Sequence, residues 1–221
     1  MKRLVVWGMR FLFLLGVGLF LCPTVQYVQE ECIPVLSENY QNYQIEKEIN
    51  NVTLDYIDSS HISVRGKSVS FHGVDEFVLK YHVYEIVNCP DYLFDCVETI
   101  EIVPSNELEE VRENERVVAS HYHKRANSKV VLTDKVRYKL HPFLHEAIHA
   151  FDAEFDITSS EEFLKVYEKE KGYDERADEP TEHFAYSYTS YLSKDEDTIS
   201  RIPETKKFYD TYHSYFQSLG K

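Results

Sequence analysis

The sequence predicts an α+β fold, β-containing in its first half and mostly helical in its second. Short runs of alternating or β-branched apolar residues lie between Ile62 and Leu132, and from Leu140 onward apolar residues recur at helical spacing. The 221 residues, 43% apolar and 28% charged, suffice for one compact domain with a sizeable core.

Residues 1–24 read as a targeting segment. Lys2, Arg3 and Arg10 precede the uninterrupted apolar run Phe11 to Cys22, which Pro23 ends. The run is shorter than the roughly 20 residues a spanning helix needs. A signal peptide and a secreted product are therefore expected, with a membrane-tethered form as the alternative. Residues 25–51 are polar and aperiodic, a spacer or peripheral helix, and the main globular domain is expected over 52–221. Ile62 to Phe71, turning at Gly66, and Phe77 to Val87 read as a hairpin or small sheet. Thr99 to Val103 alternates as a strand that Pro104 and Ser105 stop. A charged helix is expected over Asn106 to Ala119, then a strand over Ser128 to Leu132.

Leu140, Leu144, Ala147, Ile148 and Phe151 form one stripe of an amphipathic helix. Ser159 or Ser160 caps a helix from Glu161 to Lys171 that Gly172 ends, Pro180 opens another through Leu192, and a last one spans Glu204 to Ser218.

A net charge of −14 argues against nucleic acid and anionic lipid as partners, since both would be repelled. With 17 Tyr and 13 Phe against one Trp, core and cleft are expected to be built from rings. Once a leader is removed, Cys32, Cys89 and Cys96 remain. Cys89 and Cys96 bracket Pro90 to Asp95, a spacing that suits a local disulfide with Cys32 left over.

His145-Glu146-Ala147-Ile148-His149 is an HExxH pattern. On a helix, histidines four apart project from one face toward one ion. Neutral imidazoles suit zinc, and a hydrolytic site adds one more protein ligand while keeping a position for water. Glu146 would then be the general base and, later, the acid that protonates the leaving amine. His145, Glu146 and His149 lie off the apolar stripe, which frees them to face a cleft. The third ligand is expected downstream, where Glu179, Glu182 and His183 are the candidates. Glu182 is preferred because Phe184, Tyr188, Tyr191 and Leu192 mark the buried side of that helix, with Glu182, Tyr186 and Glu179 on another face.

From about Thr99 to its end the sequence resembles the peptidases similar to the catalytic domain of anthrax lethal factor, which include the secreted Pro-Pro endopeptidases. The resemblance rests on His145 to Asp152, on Pro180-Thr181-Glu182-His183-Phe184-Ala185, similar to a Pro-x-Glu-Phe-Phe-Ala helix, and on the closing Pro203-Glu204-Thr205 helix. It implies a gluzincin-type site with one zinc on His145, His149 and Glu182. It also implies a tyrosine before the third ligand that stabilises the oxyanion. Tyr173 is the nearest match and Tyr186 the runner-up. Three features depart from the family: the gap from His149 to Glu182 is shorter, Tyr186 stands where a glutamate is usual, and His183 replaces the first Phe of the pair.

The expectation is a monomeric, exported zinc endopeptidase acting on protein or peptide. The edge of the Ser128 to Leu132 strand is expected to receive extended substrate. The alternative is a zinc-binding module of the same fold without turnover. His121, His123 and His141 are given no role.

Overall fold

The computed structural model describes residues 33–107, 119–124 and 127–220, with side chains described over 42–107 and 128–220. The chain divides into Met1–Glu48 and Ile49–Lys221. The described part of the first unit belongs to helix α1 (Ile33–Asn50), whose last turn opens the second. The targeting segment, Cys32 and most of the charged helix expected over Asn106 to Ala119 lie outside the described residues. Among the described residues no helix is long and apolar enough to cross a membrane.

The second unit is α+β. Six strands, β1 (Asp55–Tyr56), β2 (His61–Val64), β3 (Lys67–Phe71), β4 (Thr99–Val103), β5 (Ala119–Lys124) and β6 (Asn127–Thr133), form one sheet in the order β1-β2-β3-β4-β6-β5. The β2–β3 hairpin turns on Arg65 and Gly66, both at positive φ (50° and 82°). That conformation matches the right-handed strand twist, and glycine adopts it without strain. β3, β4 and β6 run parallel, and β5 returns antiparallel.

Two expectations fail here. The stretch Phe77 to Val87 is not a strand but lies in α2 (Glu76–Asn88). Asp75 caps this helix by accepting from the Val78 N–H at 2.9 Å, and Val78, Leu79, Val83 and Ile86 bury one broad face. Cap and helical spacing outweigh the β-branched composition. The second failure is the edge strand. β6 is not at an edge, because β5 pairs with it from Ala119↔Leu132 to Lys124↔Asn127 while β4 pairs on its other side. Its backbone groups are used on both flanks, so it has no edge to offer a substrate, and β5 is the sheet's outer strand.

The expected Cys89–Cys96 bridge is also absent: both are free, buried thiols. The Cys96 Sγ–H donates at 3.3 Å to the carbonyl of Tyr92, which lies in the short helix α3 (Asp91–Phe94). The region is held instead by the hairpin. The Arg65 guanidinium donates to the Ile86 and Cys89 carbonyls (3.1 and 2.7 Å) and pairs with Asp91, and the Lys67 ammonium donates to the carbonyls of Phe94 (2.9 Å) and Val97. Both cations also lie over the Phe94 ring, at 4.1 and 4.3 Å. They satisfy carbonyls left over at two helix ends, where positive charge is favoured.

The helical half comprises α4 (Pro142–Phe155), α5 (Glu161–Glu170), α6 (Pro180–Ser193), the single turn α7 (Glu196–Ile199) and α8 (Pro203–Leu219). Ser160 caps α5 by accepting from the Phe163 N–H. Pro142, Pro180 and Pro203 each open a helix, where a missing N–H costs nothing. The core between these helices is aromatic, with Phe151, Phe163, Phe184, Tyr188, Tyr209 and Phe216 all essentially inaccessible to solvent.

One face of α2 fixes the connection that delivers α4. The Tyr81 hydroxyl donates to the Arg137 carbonyl, the His82 Nε2–H donates to the Thr133 carbonyl at 2.7 Å, and His141 Nδ1 lies 3.2 Å from the Glu85 carboxylate. His82 is fully buried, and burial pulls its pKa down to about 4. An unfolded histidine titrates near 6.5, so the unfolded chain takes up this proton first as pH falls. His82 therefore contributes stability that is complete above about pH 6.5 and is lost as pH drops through about 4, at most about 3 kcal/mol. Urea unfolding of the wild type is expected to show this loss between pH 7 and pH 4. In His82→Asn the pH slope should be shallower, and equal slopes in the two proteins would refute the assignment.

Candidate metal centre

Helix α4 carries His145, Glu146 and His149. Its buried residues, Phe143, Ala147, Ile148, Ala150 and Phe151, anchor it so firmly that the two histidines can point only one way, side by side. Helix α6 packs against α4, with Phe184, Ala185 and Tyr188 turned to the core, and this brings Glu182 onto the pair. The His145 and His149 Nε2 atoms are 3.2 Å apart, and the Glu182 carboxylate oxygens lie 3.5 and 3.3 Å from them. Four-coordinate zinc with bonds of roughly 2.0 to 2.1 Å sets its ligands about 3.3 Å apart. The two imidazole nitrogens have that spacing, and each is approached at a similar distance by its own oxygen of the Glu182 carboxylate. Among the described residues they form the one group of three His, Cys, Asp or Glu side chains placed to hold a metal ion.

The electrostatics fit a cation. Two imidazole nitrogens 3.2 Å apart with a carboxylate beside them need a proton or a metal ion among them, since bare lone pairs would repel. Burial works to raise the Glu182 pKa, yet hydrogen bonds from His145 and His149 win and hold it far below the usual carboxylate range. Burial likewise works to lower His149, but the Glu182 hydrogen bond and the charges of Glu146, Glu182 and Asp152 leave it raised. The side chains of His145 and His149 are nearly covered and that of Glu182 is 37% exposed, which leaves one side of the group open to solvent.

Supporting groups surround the donors. Asp152, whose charge acts on His149, is fixed by the Thr158 N–H (2.8 Å) and hydroxyl (2.6 Å). Glu146 is buried at 7% exposure and its charge also acts on His149. The His145 Nδ1 atom is buried without a partner, a departure from the usual metal-ligating histidine.

The rival third ligands are placed elsewhere. His183 is buried, with Nε2 3.0 Å from the Thr205 hydroxyl, and Glu179 occupies the N-cap of α6. Tyr173 packs edge-on to His183 at 5.1 Å, and its hydroxyl is buried with no partner. Tyr186, one turn beyond Glu182, has its ring 4.4 Å from that of His145, and the Arg176 guanidinium lies 4.9 Å from the Tyr186 ring centre.

Sequence reading missed the Asp174–Arg176 pair beside the site and the His141–Glu85 contact at the start of α4. The first sits in a run of charges that resembles any solvated loop. The second joins residues far apart in the chain. His121 and His123 lie on β5, where side chains are outside the described set.

Fold and site together define an α+β protein whose HExxH helix and a downstream glutamate form a group able to hold a metal ion. No protein-family model matches the chain, and no significant match was found among curated proteins or solved structures.

Proposed function

We propose that the chain is an exported zinc-dependent endopeptidase, akin to the lethal factor-like peptidases its motifs resemble. The observation that carries this reading is the convergence of the His145 and His149 Nε2 atoms, 3.2 Å apart, with the Glu182 carboxylate, whose two oxygens lie 3.5 and 3.3 Å from them, a donor set that suits zinc. Bound there, zinc would polarise the scissile carbonyl and lower the pKa of an attacking water. Glu146 accepts that water's proton and passes it to the leaving amine. Tyr173 supplies a hydrogen bond to the oxyanion, and its unpartnered hydroxyl supports this, since a buried donor without a protein partner calls for an explanation. The substrate is protein or peptide.

The test is metal analysis of the purified chain with digestion of a peptide library, before and after chelation. One zinc per chain and cleavage that chelator abolishes and zinc restores are expected. A chain that holds no zinc refutes the proposal. Stoichiometric zinc without cleavage would favour the second reading, a zinc-binding module without turnover, to which the unpartnered His145 Nδ1 lends some weight. Within the peptidase reading, Tyr173→Phe is expected to lower kcat by about 10² to 10³ with zinc content unchanged. If Tyr186→Phe has that effect and Tyr173→Phe has none, the donor is Tyr186.

A further inference from the structure

Beside the metal-type site stands a cation with three of its five guanidinium N–H groups free among the described residues. Arg176 Nε and Nη2 donate to the two Asp174 oxygens at 2.9 and 2.6 Å, and the Arg176 backbone N–H donates to the same carboxylate at 2.9 Å. This side-on pairing fixes the guanidinium in one orientation against the Tyr186 ring. It leaves the outer fork, the Nη1 hydrogens and the second Nη2 hydrogen, without a bond among the described residues, on a side chain 48% exposed. Such a fork matches a second carboxylate bidentately. Arg201 also acts on Asp174, so the carboxylate is shared between two cations.

We propose that Arg176 is a specificity-determining residue that selects peptides carrying a carboxylate close to the bond presented at the metal-type site. The inference rests on the peptidase reading. The Arg176–Tyr186 and Tyr186–His145 distances, 4.9 and 4.4 Å, laid end to end bound the guanidinium to within roughly three residues of extended chain from the His145 ring. The selected carboxylate therefore belongs to an Asp or Glu side chain, or to a free C-terminus, within that reach of the scissile bond. A lysine at 176 would keep the charge but lose the planar fork and its stacking on Tyr186.

The experiment uses full-length, zinc-loaded Glu146→Gln protein, in which peptides bind without being consumed, and three randomised N-acetylated peptide libraries. One contains Asp and Glu with amidated ends, one lacks them with amidated ends, and one lacks them but ends in a free carboxyl. Sequencing of the retained peptides is expected to show enrichment of one carboxylate-bearing class by roughly tenfold or more over the neutral library. The first and third libraries distinguish the side-chain source from the terminal one. Adding Arg176→Gln should abolish the enrichment while neutral peptides are retained as before, and Arg176→Lys should restore only part of it. The neutral peptides and the thermal midpoint report that the variants remain folded.

Absence of any carboxylate preference with Arg176 present, or its survival in Arg176→Gln, overturns the proposal. Zinc-dependent cleavage without a carboxylate preference sinks this inference alone. Arg176-dependent capture by a chain that carries no zinc and cleaves nothing sinks the peptidase reading instead.

Discussion

Glu146→Gln is expected to lower kcat for peptide hydrolysis by about 10² to 10⁴ while leaving zinc content unchanged. Glutamine has nearly the size and shape of glutamate, so the 7% exposed side chain on α4 keeps its packing. On the peptidase proposal, what is lost is the ability to take a proton from water and return it to the leaving amine. The residues placed to hold a metal ion are His145, His149 and Glu182, and none of them is altered. KM should therefore change far less than kcat, the pattern of an interaction made only in the transition state. Steady-state kinetics paired with metal analysis decide the matter. Loss of zinc together with activity would move Glu146 from proton transfer to metal retention, and undiminished hydrolysis would remove it from the reaction.

Phe184→Ala should cost about 3 to 5 kcal/mol of stability and weaken metal retention with it. Phe184 has no exposure and lies at the centre of the ring cluster, edge-on to Phe163 at 5.5 Å and to Phe216 at 6.0 Å and stacked with Tyr188 at 5.4 Å. Truncation leaves a void bordered by rigid rings from α5, α6 and α8, which can collapse only partly. Because Glu182 precedes Phe184 by two residues, α6 loosens where it meets the α4 histidines. Denaturant unfolding of the apo protein measures the first effect and zinc titration the second. Phe184→Leu, with a smaller void, should lose less in both assays. An alanine variant within about 1 kcal/mol of wild type would mean that the cluster does not lock α6 in place.

The helical half was legible in the sequence because its signals are local. The stripe of Leu144, Ala147, Ile148 and Phe151, the Ser160 cap and the prolines at 180 and 203 each specify structure within a turn or two. The HExxH pair and the face carrying Glu182 were readable for the same reason, since helical geometry converts spacing into direction. The first half was less legible. In α2 the β-branched residues Val78, Val83 and Ile86 suggested a strand, and only the Asp75 cap and helical spacing argued otherwise. β5 starts at Ala119, the last residue of a stretch whose charges suggested a helix, whereas its partner β6 was readable as the strand over Ser128 to Leu132. Cys89 and Cys96 have a spacing that suits a bridge, yet burial and not bonding sets their state. The Arg176 fork and the His141–Glu85 contact depend on elements meeting in space, which local periodicity does not encode.

The cations of the β2–β3 hairpin have a practical consequence for how this protein can be made. Arg65 and Lys67 supply the tie that a sulfur–sulfur bond would otherwise give to the turn around α3. Burial pushes the Cys96 thiol up to about 12 and Cys89 higher still, so neither offers much nucleophilic sulfur at neutral pH. Redox poise is therefore immaterial to this corner of the molecule: a bacterial cytoplasm should yield the same folded chain as a periplasm, and dithiothreitol should leave its melting temperature where it was.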